Sequence, residues 1–171
     1  MKEAILRHAL ELFAEKGFSG ASMRALARRC GTTAANLYNY VPSKEALLRE
    51  VFWVGAGQIR DTLQAGRPDG KPDLAAYLTA VIRTVDGNRP LWRLIHRLRL
   101  DREVAAILDP DFRIILEEAL EQLEAYGPHP WLLLSLVDGI TAARLQDVPM
   151  PPPDEVVATV TRCLEGLHEP R

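Results

Sequence analysis

Apolar residues recur at steps of three and four from the start of the chain, and glycine or proline interrupts them often enough to count the helices. Ile5, Ala9, Leu12 and Phe13 define the inward face of a first helix that Gly17 stops. Ser22 is placed as the N-cap of a second, short helix that turns Met23, Leu26 and Ala27 inward and ends at Cys30 and Gly31. Thr32 or Thr33 caps a third helix, which contributes Leu37 to the core and is stopped by Pro42. Ser43 opens a fourth, which carries Leu47, Leu48, Val51 and Phe52 and runs to about residue 65. The stretch AGRPDGKPD, residues 65 to 73, has the composition of a linker. Four or five more helices are predicted beyond it, their starts marked by Asp73, Pro90, Asp109-Pro110, Pro130 and the Pro-Pro-Asp of residues 152 to 154, because a first helical turn tolerates proline. The pattern predicts an all-α protein of about nine helices with no period-2 strand signal, internal repeat or low-complexity tract.

Composition agrees with the periodicity. Leucine, alanine and arginine are abundant and β-branched residues are not, a balance that favours helix. The net charge of -2 argues against uniform coating of nucleic acid, yet it hides an asymmetry. Residues 1 to 50 hold eight Lys and Arg against five Asp and Glu, whereas residues 51 to 171 hold thirteen against eighteen. Basic character is concentrated at the amino end. Cys30 and Cys163 lie in helical patterns without ligand spacing, so they read as small packing residues in a reducing cytoplasm, with no metal or cofactor implied. The amino-terminal stretch threads charges through its apolar positions and reads as neither signal peptide nor membrane span. No other stretch is long enough to cross a bilayer.

The third helix is barely two turns long, and its outward positions are small residues, amides and tyrosines. Two short helices joined by a turn containing glycine form a helix-turn-helix signature, whose second helix enters the major groove of DNA. Asn36 and Asn39 offer donors and acceptors to base edges, while Ala34 and Ala35 allow close approach. Hydroxyls and amides at helix N-termini suit phosphate oxygens.

Residues 1 to 50 resemble the DNA-binding domain of TetR/AcrR-type transcriptional regulators in the segments ALELFAEKGF, SMRALARRCG and LYNYVPSKEALL, in that order and spacing. The resemblance implies a three-helix DNA-binding domain over residues 1–46. A long fourth helix joins it to a helical effector-binding and dimerisation domain over residues 47–171. It implies phosphate contacts by Ser22, Thr33, Tyr38 and Lys44, and base-edge readout by Ala34, Ala35 and Asn36 with Asn39 and Tyr40. Arg24, Arg28 and Arg29 read as a solvated helix face with one member, Arg28, near a phosphate. Taken singly, Tyr38 also reads as a core-edge tyrosine and Lys44 as a solvated first-turn residue. The chain departs from the family pattern at Ala34-Ala35, where Lys-Gly is frequent, and at Val41, where phenylalanine is usual.

In the second half, HPWLLLSLVDGITAARLQD (129 to 147) is apolar around most of its circumference, including Leu133, Leu136, Val137 and Ile140. The following helix adds Val156, Val160, Leu164 and Leu167 at steps of four, four and three. Paired copies of these helices would make a four-helix interface, which is also where the resembling family dimerises. A helix-turn-helix that meets two half-sites of a pseudo-palindromic, double-stranded operator favours a homodimer over a monomeric bundle. Core packing accounts for most of Trp53, Tyr77, Trp92, Ile95, His96, Phe112, Leu116 and Tyr126, but the resemblance further implies a small-molecule effector pocket, for which they are the candidates. In PLWRLIHRLRL the inward stripe is Leu91, Leu94, Ile95 and Leu98, with His96 at its margin as a boundary histidine.

The residues and the resemblance together predict a cytoplasmic, homodimeric transcriptional regulator; that it is a repressor released from its operator by a small apolar or amphipathic ligand is what the resemblance implies. An architectural DNA-binding protein without effector is the alternative, and would keep its DNA affinity whatever metabolite is added. An all-α enzyme would need a catalytic constellation, and no Ser/His/Asp ordering, HExxH, phosphate-binding glycine loop or paired carboxylate motif stands out.

Overall fold

Gly17 adopts a φ of 69°, a left-handed conformation, and breaks α1 (Lys2–Gly20) where the pattern places its stop. In the computed structural model, which describes residues 1–98 and 101–166, nine α-helices and no strands occur among the described residues. After α1 come α2 (Met23–Arg29), α3 (Ala34–Tyr38), α4 (Lys44–Ala65), α5 (Leu74–Gly87) and α6 (Arg89–Leu98). The chain continues through α7 (Arg102–Leu123), α8 (Pro130–Leu145) and α9 (Pro153–Gly166). Side-chain caps explain four of the starts: Ser22, Thr33, Ser43 and Asp73 each accept an N–H from three residues on, at 2.8 to 3.2 Å. Leu167 lies outside the described residues.

The start expected at Asp109-Pro110 is corrected. One helix, α7, runs through Pro110, and its cap is Asp101, whose carboxylate accepts the N–H groups of Glu103 at 2.9 Å and Val104 at 3.3 Å. Asp109 bonds the Arg113 side chain instead. An interior proline costs about 3 kcal/mol through its missing N–H and its clash with the preceding turn. The burial of Val104, Leu108, Ile115, Ala119 and Leu123 along one face outweighs that cost.

The helices form two compact units. One comprises Met1–Gly57 with Pro90–Arg113. Within it α2 packs on α1 and α3 over Ile5, Phe13, Phe18, Leu26, Leu37 and Leu48, all almost fully buried. Polar ties bind α1 to the later helices of the unit: Arg97 donates to Ala14 O at 2.8 Å and Ser19 to Glu103 at 2.7 Å. Along α4, the Trp53 indole N–H donates to Asp111 at 2.9 Å, and Arg49 reaches the same carboxylate and Ile107 O. The Lys44 ammonium donates to Phe18 O at 3.1 Å and Ala21 O at 3.4 Å and lies 4.2 Å from the centre of the Phe18 ring. It thereby adds a charged donor to carbonyls where α1 ends, Phe18 O also accepting the Ala21 N–H at 3.1 Å.

The other unit comprises Gln58–Arg89 and the described residues from Ile114 onward. Its centre is α5, which buries Tyr77, Leu78, Val81, Ile82 and Val85 against α8 and α9. Arg89 donates to Arg144 O at 2.7 Å and pairs with Asp147 at 2.5 Å, while Arg144 pairs with Asp86. The segment 65 to 73 is not the linker its composition suggests, because it forms a closed corner inside this unit. Gly66 O accepts the Asp73 N–H and the Tyr126 hydroxyl, each at 2.9 Å. Tyr77 stacks on Tyr126 with ring centres 5.2 Å apart, and burial raises both phenol pKa values.

Two outcomes follow from these contacts. A Cβ at Gly66 would lie 2.4 Å from the Tyr126 hydroxyl and 2.6 Å from Tyr77 Cβ, so Gly66→Ala is expected to cost about 1 to 3 kcal/mol by overpacking. A lower urea midpoint checks it; an unchanged midpoint would mean that the corner yields. Lys44→Met keeps the aliphatic stem but removes the donor, and should lower stability by about 1.5 to 3 kcal/mol, the worth of a charged hydrogen bond. Thermal melting in the absence of DNA separates this structural role from a purely phosphate-binding one, which would leave the midpoint where it was.

Candidate nucleic-acid interface

The turn between α2 and α3 is set by hydrogen bonds that only a left-handed residue permits. Gly31 has φ 65°, its N–H returns to Arg28 O at 3.2 Å, and the Thr32 N–H returns to Ala27 O at 2.9 Å. This Schellman closure satisfies the last carbonyls of α2 and turns the chain at once into α3. The Thr33 hydroxyl oxygen then accepts the Asn36 N–H at 3.1 Å. Leu37 and Val41 are each 0% exposed and hold the underside of the segment.

Everything opposite those two residues faces outward. Tyr38 and Tyr40 are 50% and 41% exposed; Thr33, Ala35 and Asn39 are exposed, while Ala34 and Asn36 are half-buried. Val41 is completely buried, although it is smaller than the phenylalanine usual at that place in the resembling family. The amides form a short relay: Asn36 Nδ2 donates to Thr32 Oγ1 at 2.8 Å, and Asn39 Nδ2 approaches Asn36 Oδ1 at 3.5 Å. Nothing in the sequence singled out Thr32 beyond a capping role, yet its spacing of four from Asn36 is the signal.

The flanking hydroxyls of Ser22 and Thr33 use their oxygens as cap acceptors, which leaves their hydrogens as donors. Arg28 is exposed on α2, whereas Arg29 is held by a two-pronged pair to Glu15 on α1 at 3.1 and 2.5 Å. That hydrogen bond lowers the Glu15 pKa and raises that of Arg29. Lys44 has two donors on main-chain carbonyls, so one of its three remains. The Glu45 carboxyl is lowered by bonds from its own backbone N–H and from Ser43, consistent with a first-turn acid. Burial pushes the Cys30 thiol up, as suits a packing residue.

Of the eight candidate pocket residues, Trp53, Trp92, Ile95, His96 and Phe112 belong to the first unit, and Tyr77, Leu116 and Tyr126 to the second. Phe52 meets Phe112 edge-on at 4.7 Å, and the Ile95 side chain fills the space over Gly55. The Trp92 indole N–H is buried without an acceptor among the described residues. Tyr77 is buried, while Leu116 is 47% exposed on α7. On α8 and α9 the structure buries Leu133, Val156 and Leu164 inside the unit and leaves Leu136, Val137, Ile140 and Val160 half-exposed. No described helix is long and apolar enough to cross a membrane.

Residues 5–51 match the family described as bacterial regulatory proteins, tetR family. The HTH-type transcriptional regulator UidR of Escherichia coli K12 is 43% identical over 48 residues, which cover 28% of this chain and 24% of UidR. The match thus spans about a quarter of the length of that curated relative. Solved structures extend the likeness of fold to almost the whole chain. Salmonella enterica GusR has a TM-score of 0.75 at 20% identity, covering 97% of this chain and 94% of GusR. AibR, crystallised with isovaleryl coenzyme A and operator DNA, has a TM-score of 0.66 at 20% identity, covering 95% and 96%. These similarities are to transcriptional regulators, and at that identity the structures testify to fold. Residues 5–51 therefore form a helix-turn-helix domain of the tetR family, and the chain carries the two-domain, all-helical fold of TetR/AcrR-type transcriptional regulators.

Proposed function

We propose that this chain is a sequence-specific DNA-binding transcriptional regulator of the cytoplasm, a homodimer that represses from a pseudo-palindromic operator and is released by a small apolar or amphipathic ligand. The observation that carries the reading is α3, a five-residue helix buried on one side by Leu37 and presenting amides, tyrosines and small residues on the other. Residues 1–46 bind DNA and residues 47–171 serve the effector and the dimer. Asn36 and Asn39 read bases, with Ala34, Ala35 and Tyr40 against the groove floor. Ser22, Arg28, Thr33, Tyr38 and the remaining donor of Lys44 hold phosphates.

The dimer is proposed on the outward face of α8 and the exposed edge of α9. Leu132, Leu136, Ile140 and Ala143 follow one another at steps of three and four on that face, all half-exposed, and Gly139 beside them has open space where a Cβ would stand. Half-exposed apolar rows of this kind suit helix-on-helix packing between two copies. The effector is proposed to bind at Trp92, with Trp53, Ile95, His96 and Phe112 of the same unit. The buried indole N–H of Trp92 is a donor awaiting an acceptor, and AibR, which shares the fold, binds an acyl thioester. Calorimetry with coenzyme A thioesters, with and without operator, tests that part. Linkage requires an inducer to bind more weakly to the DNA complex, and equal affinities would remove the compound.

The DNA reading is tested by selecting sites from a random duplex pool with the purified protein. Asn36→Ala or Asn39→Ala should relax preference at individual base pairs by roughly 1 to 3 kcal/mol where the contact is bidentate. If both variants select the wild-type site with undiminished preference, the asparagines are not readers. Ile140→Glu sets a charge on the proposed dimer face, and is expected to yield monomers in sedimentation and to abolish operator binding. A dimer that still binds its operator would place the interface elsewhere.

A further inference from the structure

An asparagine at the surface ordinarily exchanges among rotamers, and a groove-reading amide must give up that freedom when it meets a base. Asn36 differs because its side chain already has a partner. Its Nδ2 donates to Thr32 Oγ1 at 2.8 Å, and Thr32 is itself fixed: it is half-buried, its backbone N–H closes onto Ala27 O at 2.9 Å, and it stands between left-handed Gly31 and the cap Thr33. The oxygen that orients the amide thus belongs to the most constrained part of the turn. On the far side, Asn36 Oδ1 faces Asn39 Nδ2 at 3.5 Å, a long contact that supplies direction more than strength.

We infer that Thr32 is a positioning residue for base recognition: it engages one Nδ2 hydrogen of Asn36, leaving the other hydrogen and Oδ1 as the donor and acceptor pair that matches the adenine edge of an A·T pair. The inference rests on the reading of α3 as the groove-reading helix. Thr32 touches no base and acts through Asn36. Its effect therefore falls on discrimination at one position, while the phosphate contacts and the salt dependence they produce stay as they are.

The test uses the full chain. A site is selected from random duplex DNA with the wild-type protein, and the affinity of each single-base variant of that site is then measured over a salt series for wild type, Thr32→Val and Thr32→Ser. Thr32→Val is expected to lose roughly two- to tenfold of discrimination at one A·T position, the range one neutral hydrogen bond is worth, with its salt slope unchanged. Thr32→Ser, which keeps the hydroxyl, should restore the preference. In an Asn36→Ala background Thr32→Val should change discrimination no further, a coupling that a merely structural role would not produce. Undiminished discrimination everywhere, uniform weakening at all positions, or relaxation confined to G·C positions overturns the inference. A wild-type protein that selects no site overturns the DNA reading itself, and does so before any Thr32 variant is made. Should Thr32→Val fail to fold, Thr32→Ala removes the same hydroxyl without added bulk and carries the same comparison.

Discussion

A helix of five residues has no stability of its own, since nucleation costs more than so few hydrogen bonds return. Helix α3 exists because Leu37 and Val41 are drawn wholly out of water into the packing of the first unit. The rest of the exposed surface of α3 depends on that burial. With the underside committed, the residues between must point outward, and the caps at Thr33 and Ser43 fix where the segment begins and where the next helix takes over. The surface is therefore a by-product of core formation, and Asn36 is held within it by Thr32.

The unit that carries α3 is larger than its first three helices. Lys44 closes the end of α1, Arg97 and Ser19 tie α1 to α6 and α7, and Arg49 and Trp53 of α4 converge on Asp111 of α7. Each tie joins residues far apart in sequence, and several end on main-chain carbonyls, which no side-chain pattern reveals. The result is a compact unit that takes in residues 90 to 113 as well as 1 to 57. Any ligand that acts on α6 would act on the body that contains α3, because interiors packed this closely transmit displacement instead of absorbing it. At Gly55 an added Cβ would lie 2.4 Å from Ile95 Cδ1.

The second unit solves a different problem. Helix α8 is apolar on most of its circumference, and its own core accepts only one side, through Leu133, Thr141 and Leu145. Leu132, Leu136 and Ile140 remain half-exposed, as does Val160 on α9, and Trp131 is 62% exposed. A row of this kind is common where helices meet between chains and uncommon on a surface that stays in water. Inside the unit, ion pairs of Arg89 and Arg144 with Asp86 and Asp147 join the end of α5 to the end of α8, so the half-exposed face is carried on a braced helix.

Local signals determined the helices of the amino-terminal domain: a hydroxyl or carboxylate before an apolar run caps a helix, and glycine ends one because it alone enters the left-handed region cheaply. Hence Gly17, Ser22, Gly31 and Ser43 stand where the pattern put them, and Asp73 does so at the start of α5 in the second unit. The exposed face of α3 was equally legible, since Leu37 sets its inward direction. Tertiary structure decided what composition leaves ambiguous. Pro110 lies within a helix because a buried stripe on both sides of it outweighs one missing hydrogen bond, and residues 65 to 73 form a packed corner because Tyr77 and Tyr126 close over Gly66. It also decided the partners of Lys44 and Asn36. A charge or an amide can bond to water, phosphate, base or backbone with similar strength, so only the arrangement in space selects the carbonyls of Phe18 and Ala21 for one and the hydroxyl of Thr32 for the other.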